Sequence, residues 1–183
     1  MPDFSAFKSP GPYHIISYGT LLGTTVFESC FAGIIAFNTI PRPQFSLLRN
    51  RIFPVYFSVQ TTLPVVLALT YPGSGLPLGT ASGLAGTFAE VNRWKVLAPL
   101  ATMFVTALTN LVLIRPATNN VMRQRNLQET RDGKKSYDPA PHSKEMQKLN
   151  KAFGRIHGAS ALLNMGTLLA TLWYGFNLAE RIQ

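Results

Sequence analysis

Val96–Ile114 reads VLAPLATMFVTALTNLVLI, nineteen residues without a charged side chain. At about 1.5 Å of rise per residue, a helix of this length covers about 28 Å, close to the hydrocarbon thickness of a bilayer. Lipid offers no partner to backbone N–H and C=O groups, so a segment crossing it must be helical. A helix packed in a soluble protein would keep one charged face, and this stretch has none. Outward from it lie three similar segments. Tyr13–Ile40 stops at Pro41-Arg42-Pro43, Ile52–Tyr71 stops at Pro72-Gly73, and Ala159–Ala179 stops at Glu180-Arg181. The sequence therefore predicts an all-α membrane protein with four transmembrane helices in an antiparallel bundle. Residues 1–183 form a single domain. The first segment is too long and too continuously apolar for a cleaved signal peptide, and is expected to remain as a span.

Of the 183 residues 46% are hydrophobic and 14% charged, against roughly a quarter charged in soluble domains. What remains outside the apolar segments is polar and rich in Pro and Gly, so a separate soluble core is not expected. The single cysteine, Cys30, excludes an intramolecular disulfide. The net charge of +9 lies beside apolar segments, which favours anionic lipid headgroups over nucleic acid as partner.

Four spans put both termini on one side and the connections 41–51 and 115–158 on the other. Arg42, Arg49, Arg51, Arg115, Arg123, Arg125, Arg131, Lys134, Lys135, Lys144, Lys148, Lys151 and Arg155 all fall in those two connections, thirteen of seventeen basic residues. The positive-inside rule makes that side cytosolic. With no lipidation, retention or matrix-targeting signal legible, the endoplasmic reticulum or mitochondrial outer membrane is preferred to the plasma membrane.

The 115–158 connection has a pattern of its own. Ser143 is placed to cap a helix that continues into the fourth span. On that helix Met146, Leu149, Phe153 and Ile156 form an apolar stripe, and Lys144, Lys148, Lys151 and Arg155 a basic one. Such a helix is expected to lie along anionic headgroups, with the four cations as headgroup ligands. Asp132–Pro141 reads as a flexible loop, and a short interfacial helix is expected near Thr80–Asn92.

Polar residues inside the spans recur at helical spacing: Ser17, Thr20, Thr24 and Glu28; Thr102, Thr106 and Asn110; Ser160, Asn164, Thr167 and Thr171. Hydrogen bonding between helices is the common use of such residues; a polar cleft for a headgroup, solute or ion is the sharper alternative. Glu28 stands apart, since an unpaired carboxylate at mid-span costs at least about 2.5 kcal/mol. No Lys or Arg is expected at its depth, so it is predicted to be neutral and bonded to Asn110 or Asn164. Glu28, Thr24, Asn110 and Asn164 form the expected intramembrane cluster. Gly19/Gly23 and Gly154/Gly158 are GxxxG pairs that favour close helix contact. His14 lies at the opposite face from His142 and His157, and no metal-ligand set, phosphate loop, dinucleotide fingerprint or nucleophile elbow is present. No catalytic residue, cofactor or metal is expected.

Several blocks follow one another in a recognisable order. They are Pro41-Arg42 with Phe45, Phe53-Pro54 with Tyr56-Phe57, then Pro116, Thr118, Met122 and Glu129, and last Phe153, His157-Gly158, Ser160 and Asn164. With His14, Gly23, Gly33 and Phe37 in the first span, this order resembles the transmembrane protein 205-like family over nearly the whole chain. The resemblance implies a small multi-span membrane protein with no catalytic residues to carry over. It also implies a network at the cytosolic ends of the spans in which Arg42, Glu129 and His157 meet. Glu28 departs from that pattern. The resulting expectation is a non-enzymatic accessory or scaffold component of a membrane assembly that contacts anionic lipid and protein partners. The alternative is a small transporter or lipid-handling protein with a polar intramembrane cleft.

Overall fold

A computed structural model describes residues 8–73 and 81–180; Arg181 and much of the small-residue connection after Gly73 lie outside the described residues. Helix α1 spans Pro10–Thr39. It is capped by Ser9, whose hydroxyl accepts from the Gly11 N–H (3.4 Å). It ends because Ile40 is extended ahead of Pro41 (φ −118°, ψ 149°), as a residue before proline prefers. Helix α2 starts at once and runs Arg42–Leu69, with Pro43 in its first turn, where a missing N–H costs nothing. The expected 41–51 connection thus shrinks to a corner, and Arg49 becomes a helical residue. Pro54 and Pro64 lie inside α2 without ending it.

A short helix α3, Gly83–Thr87, falls in the stretch expected to hold an interfacial helix. It needs its glycines: Gly83 has φ +66° and a Cβ on Gly86 would fall on the Ala81 carbonyl. Helix α4, Glu90–Asp132, contains two wide turns of i→i+5 type, Arg93–Leu97 and Asn110–Ile114; α1 has one at Glu28–Ala32. Gly133, left-handed at φ +59°, closes α4. Helix α5 runs Lys144–Ala179 without a break, and the Ser143 hydroxyl accepts from the Met146 N–H (3.1 Å). The cap and the continuous helix are as the sequence predicts.

Three of these helices, α1, α2 and α4, are long and apolar enough to cross a membrane. Helix α5 is long enough, but Asn164, Thr167, Thr171, Tyr174 and Asn177 make its second half more polar, and these side chains are turned inward. Helix α4 packs on α2 and α5, and α1 packs on the same two helices. Leu21, Leu67, Tyr71, Val96, Leu100, Met103, Tyr174 and Leu178 fill the core. The outside carries Ile16, Val55, Val105, Leu162 and Phe176, more than half exposed. Water would disfavour that arrangement, whereas lipid accepts it.

Beyond Ile114, α4 continues as a polar helix that packs against the first half of α5. Met146 is fully buried there, and the Arg125 guanidinium lies 4.6 Å over the Phe153 ring. The apolar stripe of α5 is therefore largely covered by α4, and the basic approach helix is one arm of a hairpin. Met146 is the fully buried member of the stripe, while Leu149, Phe153 and Ile156 keep partial exposure. The turn of the hairpin is an irregular loop, where the sequence placed one, and carries bonds of its own. Lys134 Nζ donates to the Pro141 carbonyl (3.0 Å) and the Lys135 N–H to Asp138 Oδ2 (2.8 Å).

Candidate functional site

The most connected polar side chains lie where α1, α2 and α5 meet. The Tyr56 hydroxyl donates to Asn164 Oδ1 (2.8 Å), and Asn164 Nδ2 donates to Ser29 Oγ (2.6 Å). Gln60 Nε2 lies 2.8 Å from the Tyr56 hydroxyl, 3.0 Å from Thr25 Oγ1 and 3.2 Å from Asn164 Oδ1. Its two hydrogens cannot serve three acceptors fully, so the amide is shared among three helices. Thr25 and Gln60 are fully buried, and Gln60 Oε1 has no hydrogen-bond partner among the described residues. Ser29 belongs to the wide turn of α1, which rotates the next residues relative to a regular helix.

Glu28 opens that wide turn, and Arg49 of α2 donates to it at 2.7 Å with both side chains largely covered. Arg49 also lies 4.0 Å over the Phe53 ring. This corrects the expectation that no cation reaches Glu28. Because α2 begins at Arg42, Arg49 sits two turns into the helix, and its long side chain spans the remaining depth. The predicted bond from Glu28 to Asn110 or Asn164 does not form. Asn110, on the wide turn of α4, instead accepts from Ser160 Oγ (2.8 Å), one step from the Thr106–Thr167 hydroxyl contact (2.7 Å). Thr24 turns its hydroxyl back to the Thr20 carbonyl (2.7 Å). Of the expected cluster, only Asn164 belongs to the shared network.

Sequence reading missed Thr25, Ser29, Tyr56 and Gln60. It picked the stripe ending in Thr24 and Glu28, one position away from the buried face that carries Thr25 and Ser29. The signal was present in α2, where Tyr56 and Gln60 are four apart on one face and Gln60 is the costliest neutral side chain between Ile52 and Tyr71.

A second polar junction ties the opposite end. Thr70 Oγ1 already donates to the Val66 carbonyl (2.7 Å), so it accepts from His14 Nδ1–H (3.0 Å). His14 Nε2 is then left to accept from the Tyr174 hydroxyl (2.8 Å). One fully buried imidazole thus links α1, the end of α2 and α5. Next to it, a Cβ on Gly175 would meet the Tyr18 hydroxyl, so the Tyr18 ring would have to shift.

At the other end, Arg42, Glu129 and His157 do not form the network that the resemblance implies. Arg42 lies 3.3 Å over the Phe37 ring. Glu129 accepts from the Ser136 hydroxyl (2.6 Å), the Ser136 N–H (3.0 Å) and Lys135 Nζ (3.2 Å). His157 stacks on Phe153 with planes 5° apart. Each finds a partner close in sequence because α4 carries Glu129 well past the level of the Pro41 corner. Burial pushes the Glu129 carboxyl up, yet the Ser136 and Lys135 bonds outweigh it and hold the group below its ordinary value.

Lys144, Lys148, Lys151 and Arg155 are all exposed on α5, and none is in an ion pair among the described residues. Neither GxxxG pair makes a contact: a Cβ at Gly19, Gly23, Gly154 or Gly158 would meet nothing within 4 Å. Among the described residues no group of His, Cys, Asp or Glu is placed to hold a metal.

Apolar outward faces with polar bonds turned inward define an α-helical, multi-pass membrane protein. Residues 16–127 match the family described as "Domain of unknown function (DUF4149)", and the chain belongs to that family. It is 33% identical over 171 residues to "Xanthocillin biosynthesis cluster protein D" of Aspergillus fumigatus, a match covering 93% of this chain and 90% of that protein. No solved structure matches the chain. These matches overturn the transmembrane protein 205-like assignment, which neither supports. Of the blocks behind that assignment, Pro41 is a helix corner, whereas Gly23, Gly33 and Gly158 meet nothing within 4 Å.

Proposed function

We propose that this protein is a non-enzymatic accessory or scaffold component of a membrane assembly, built as a bundle of four spans. Ala159–Ala179 of α5 is its fourth span, because the polar side chains that lower its hydropathy are turned toward α1, α2 and α4. One observation carries the functional reading. The intramembrane polar groups are mostly satisfied within the chain, by one another or by carbonyls of their own helices, while the small-residue pairs and basic stripe are left open on the outside. Such a protein is organised to hold its own shape and present surfaces. Arg51, Arg115 and Arg155 lie near the cytosolic membrane surface and suit anionic headgroups. The relative's printed name places it in a biosynthesis cluster, and the accessory role extends that setting to this chain as a partner of membrane-bound biosynthetic machinery.

The second reading is a small transporter or lipid-handling protein. The buried, unpartnered Gln60 Oε1 beside the Glu28–Arg49 pair favours it. Native mass spectrometry of the protein released gently from its own membrane separates the two. A stoichiometric protein partner is the expected result. A lone chain carrying a defined lipid or solute, lost on Gln60→Leu, would replace the scaffold reading with the transport one.

A further inference from the structure

Lys144, Lys148, Lys151 and Arg155 recur at intervals of four, three and four residues, so they share one face of α5. Gly154 and Gly158 border that face, and Leu162, 76% exposed, continues it toward the membrane. The outer side of α5 is thus basic beyond the membrane, notched by two glycines at the boundary and apolar within.

Distance decides which anions the basic part can meet. Measured from Ala159 along a helix near the membrane normal, Arg155 lies about 6 Å out, Lys151 about 12 Å, Lys148 about 16 Å and Lys144 about 22 Å. The headgroup layer adds only about 6 Å to the hydrocarbon on each side. Charges farther than about 8 Å are largely screened at physiological salt. Arg155 therefore faces headgroups, while Lys148 and Lys144 stand beyond their reach. The hairpin cannot fold down to bring them back, because its apolar stripe is packed on α4 and Met146 is fully buried. Nor do its own acids answer the stripe: Glu145, on the same helix three residues before Lys148, is in no ion pair among the described residues. Glu129 is held by Ser136 and Lys135, Asp132 accepts from Gln128 and Ser143, and Asp138 accepts from the Lys135 N–H.

We infer that the outer face of α5 docks a membrane protein whose helix packs into the Gly154/Gly158 notch and continues past the membrane as an acidic segment paired with Lys144, Lys148 and Lys151. A second copy does not fit, since two chains in the same orientation would set identical basic stripes side by side. The inference rests on the accessory reading above and names the surface and chemistry of its partner.

The test is site-specific photo-cross-linking of the full-length protein in its native membrane. p-Benzoylphenylalanine is placed singly at Lys148, Leu162 or, as a control on another face, Ile16 of α1. The expected result is that one membrane protein is captured from both Lys148 and Leu162. The peptide joined at Lys148 is rich in Asp and Glu. Adding Lys144→Glu and Lys151→Glu lowers capture from Leu162 at least tenfold, whereas Lys144→Arg and Lys151→Arg keep it. If the charge-reversed chain does not accumulate, Lys144→Gln with Lys151→Gln is used and a severalfold loss is expected. Capture of phospholipid alone, of nucleic acid or of a second copy overturns the inference, and so does capture insensitive to these charges. A protein captured only from Ile16 overturns the α5 surface while leaving the accessory role standing. No protein captured at any position overturns both.

Discussion

Glu28 shows what one residue can reveal when its partner is far away in sequence. A carboxylate at that depth needs a proton, a cation or water, and the chain supplies Arg49, 21 residues on, at 2.7 Å. Breaking a covered ion pair leaves a charge without compensation, which typically costs about 3–5 kcal/mol, whereas replacing both partners is often close to neutral. Arg49→Met is therefore expected to destabilise the folded protein by about 3 kcal/mol. Glu28→Gln combined with Arg49→Met should recover most of that loss. Reversible unfolding in mixed micelles measures both, and equal losses in the single and double variants would show that the pair is not coupled. Glu28 was legible from composition as a residue in need of a partner. Arg49 was not, because its usefulness depends on α2 starting at Arg42.

At the scale of elements, the polar hairpin of α4 and α5 is the part where sequence periodicity and structure diverge most instructively. Both stripes of α5 were visible in the sequence and both are real faces. Periodicity gives the apolar face but not what covers it, and the cover proved to be α4 rather than lipid. The hairpin turn rests on Glu129, whose side chain is 10% exposed. Its folded pKa is depressed, so its contribution is fully present above the unfolded value of about 4.3 and is lost as pH falls through the lower, folded value. Stability of the detergent-solubilised protein should decline as pH drops below about 4.5 through this group. Glu129→Gln should be less stable at neutral pH and lose part of that acid slope. Unfolding curves at stepped pH test this, and an unchanged slope in the variant would remove Glu129 from the account.

For the whole molecule, the distribution of charge sets a testable orientation. Thirteen of the seventeen basic residues lie in 41–51 and 115–158, and of these Arg49 reaches inward to Glu28. With Cys30 replaced by alanine, Lys144→Cys is expected to react with an impermeant maleimide only after the membrane is opened from the cytosolic side. Val91→Cys should show the reverse. Labelling of both from one side would refute a membrane crossing by Val96–Ile114.

The sequence by itself determined that the chain is helical and apolar enough for a membrane. It also set the helix ends before Pro41 and Pro72 and the inward side of Asn110, Thr167 and Thr171, but not the end of α4, which runs on through Pro116 where a stop was expected. Those properties follow from local rules, since hydropathy, proline geometry and helical period act within a few residues. Only the tertiary structure decided that Arg49 meets Glu28, that Thr25, Ser29, Tyr56, Gln60 and Asn164 share one network, and that α4 covers the apolar stripe of α5. It also separated Arg42, Glu129 and His157. These outcomes depend on the relative rotation and depth of helices far apart in the chain. A wide turn at Glu28 or Asn110 shifts which side chains point inward, and no local pattern records that shift.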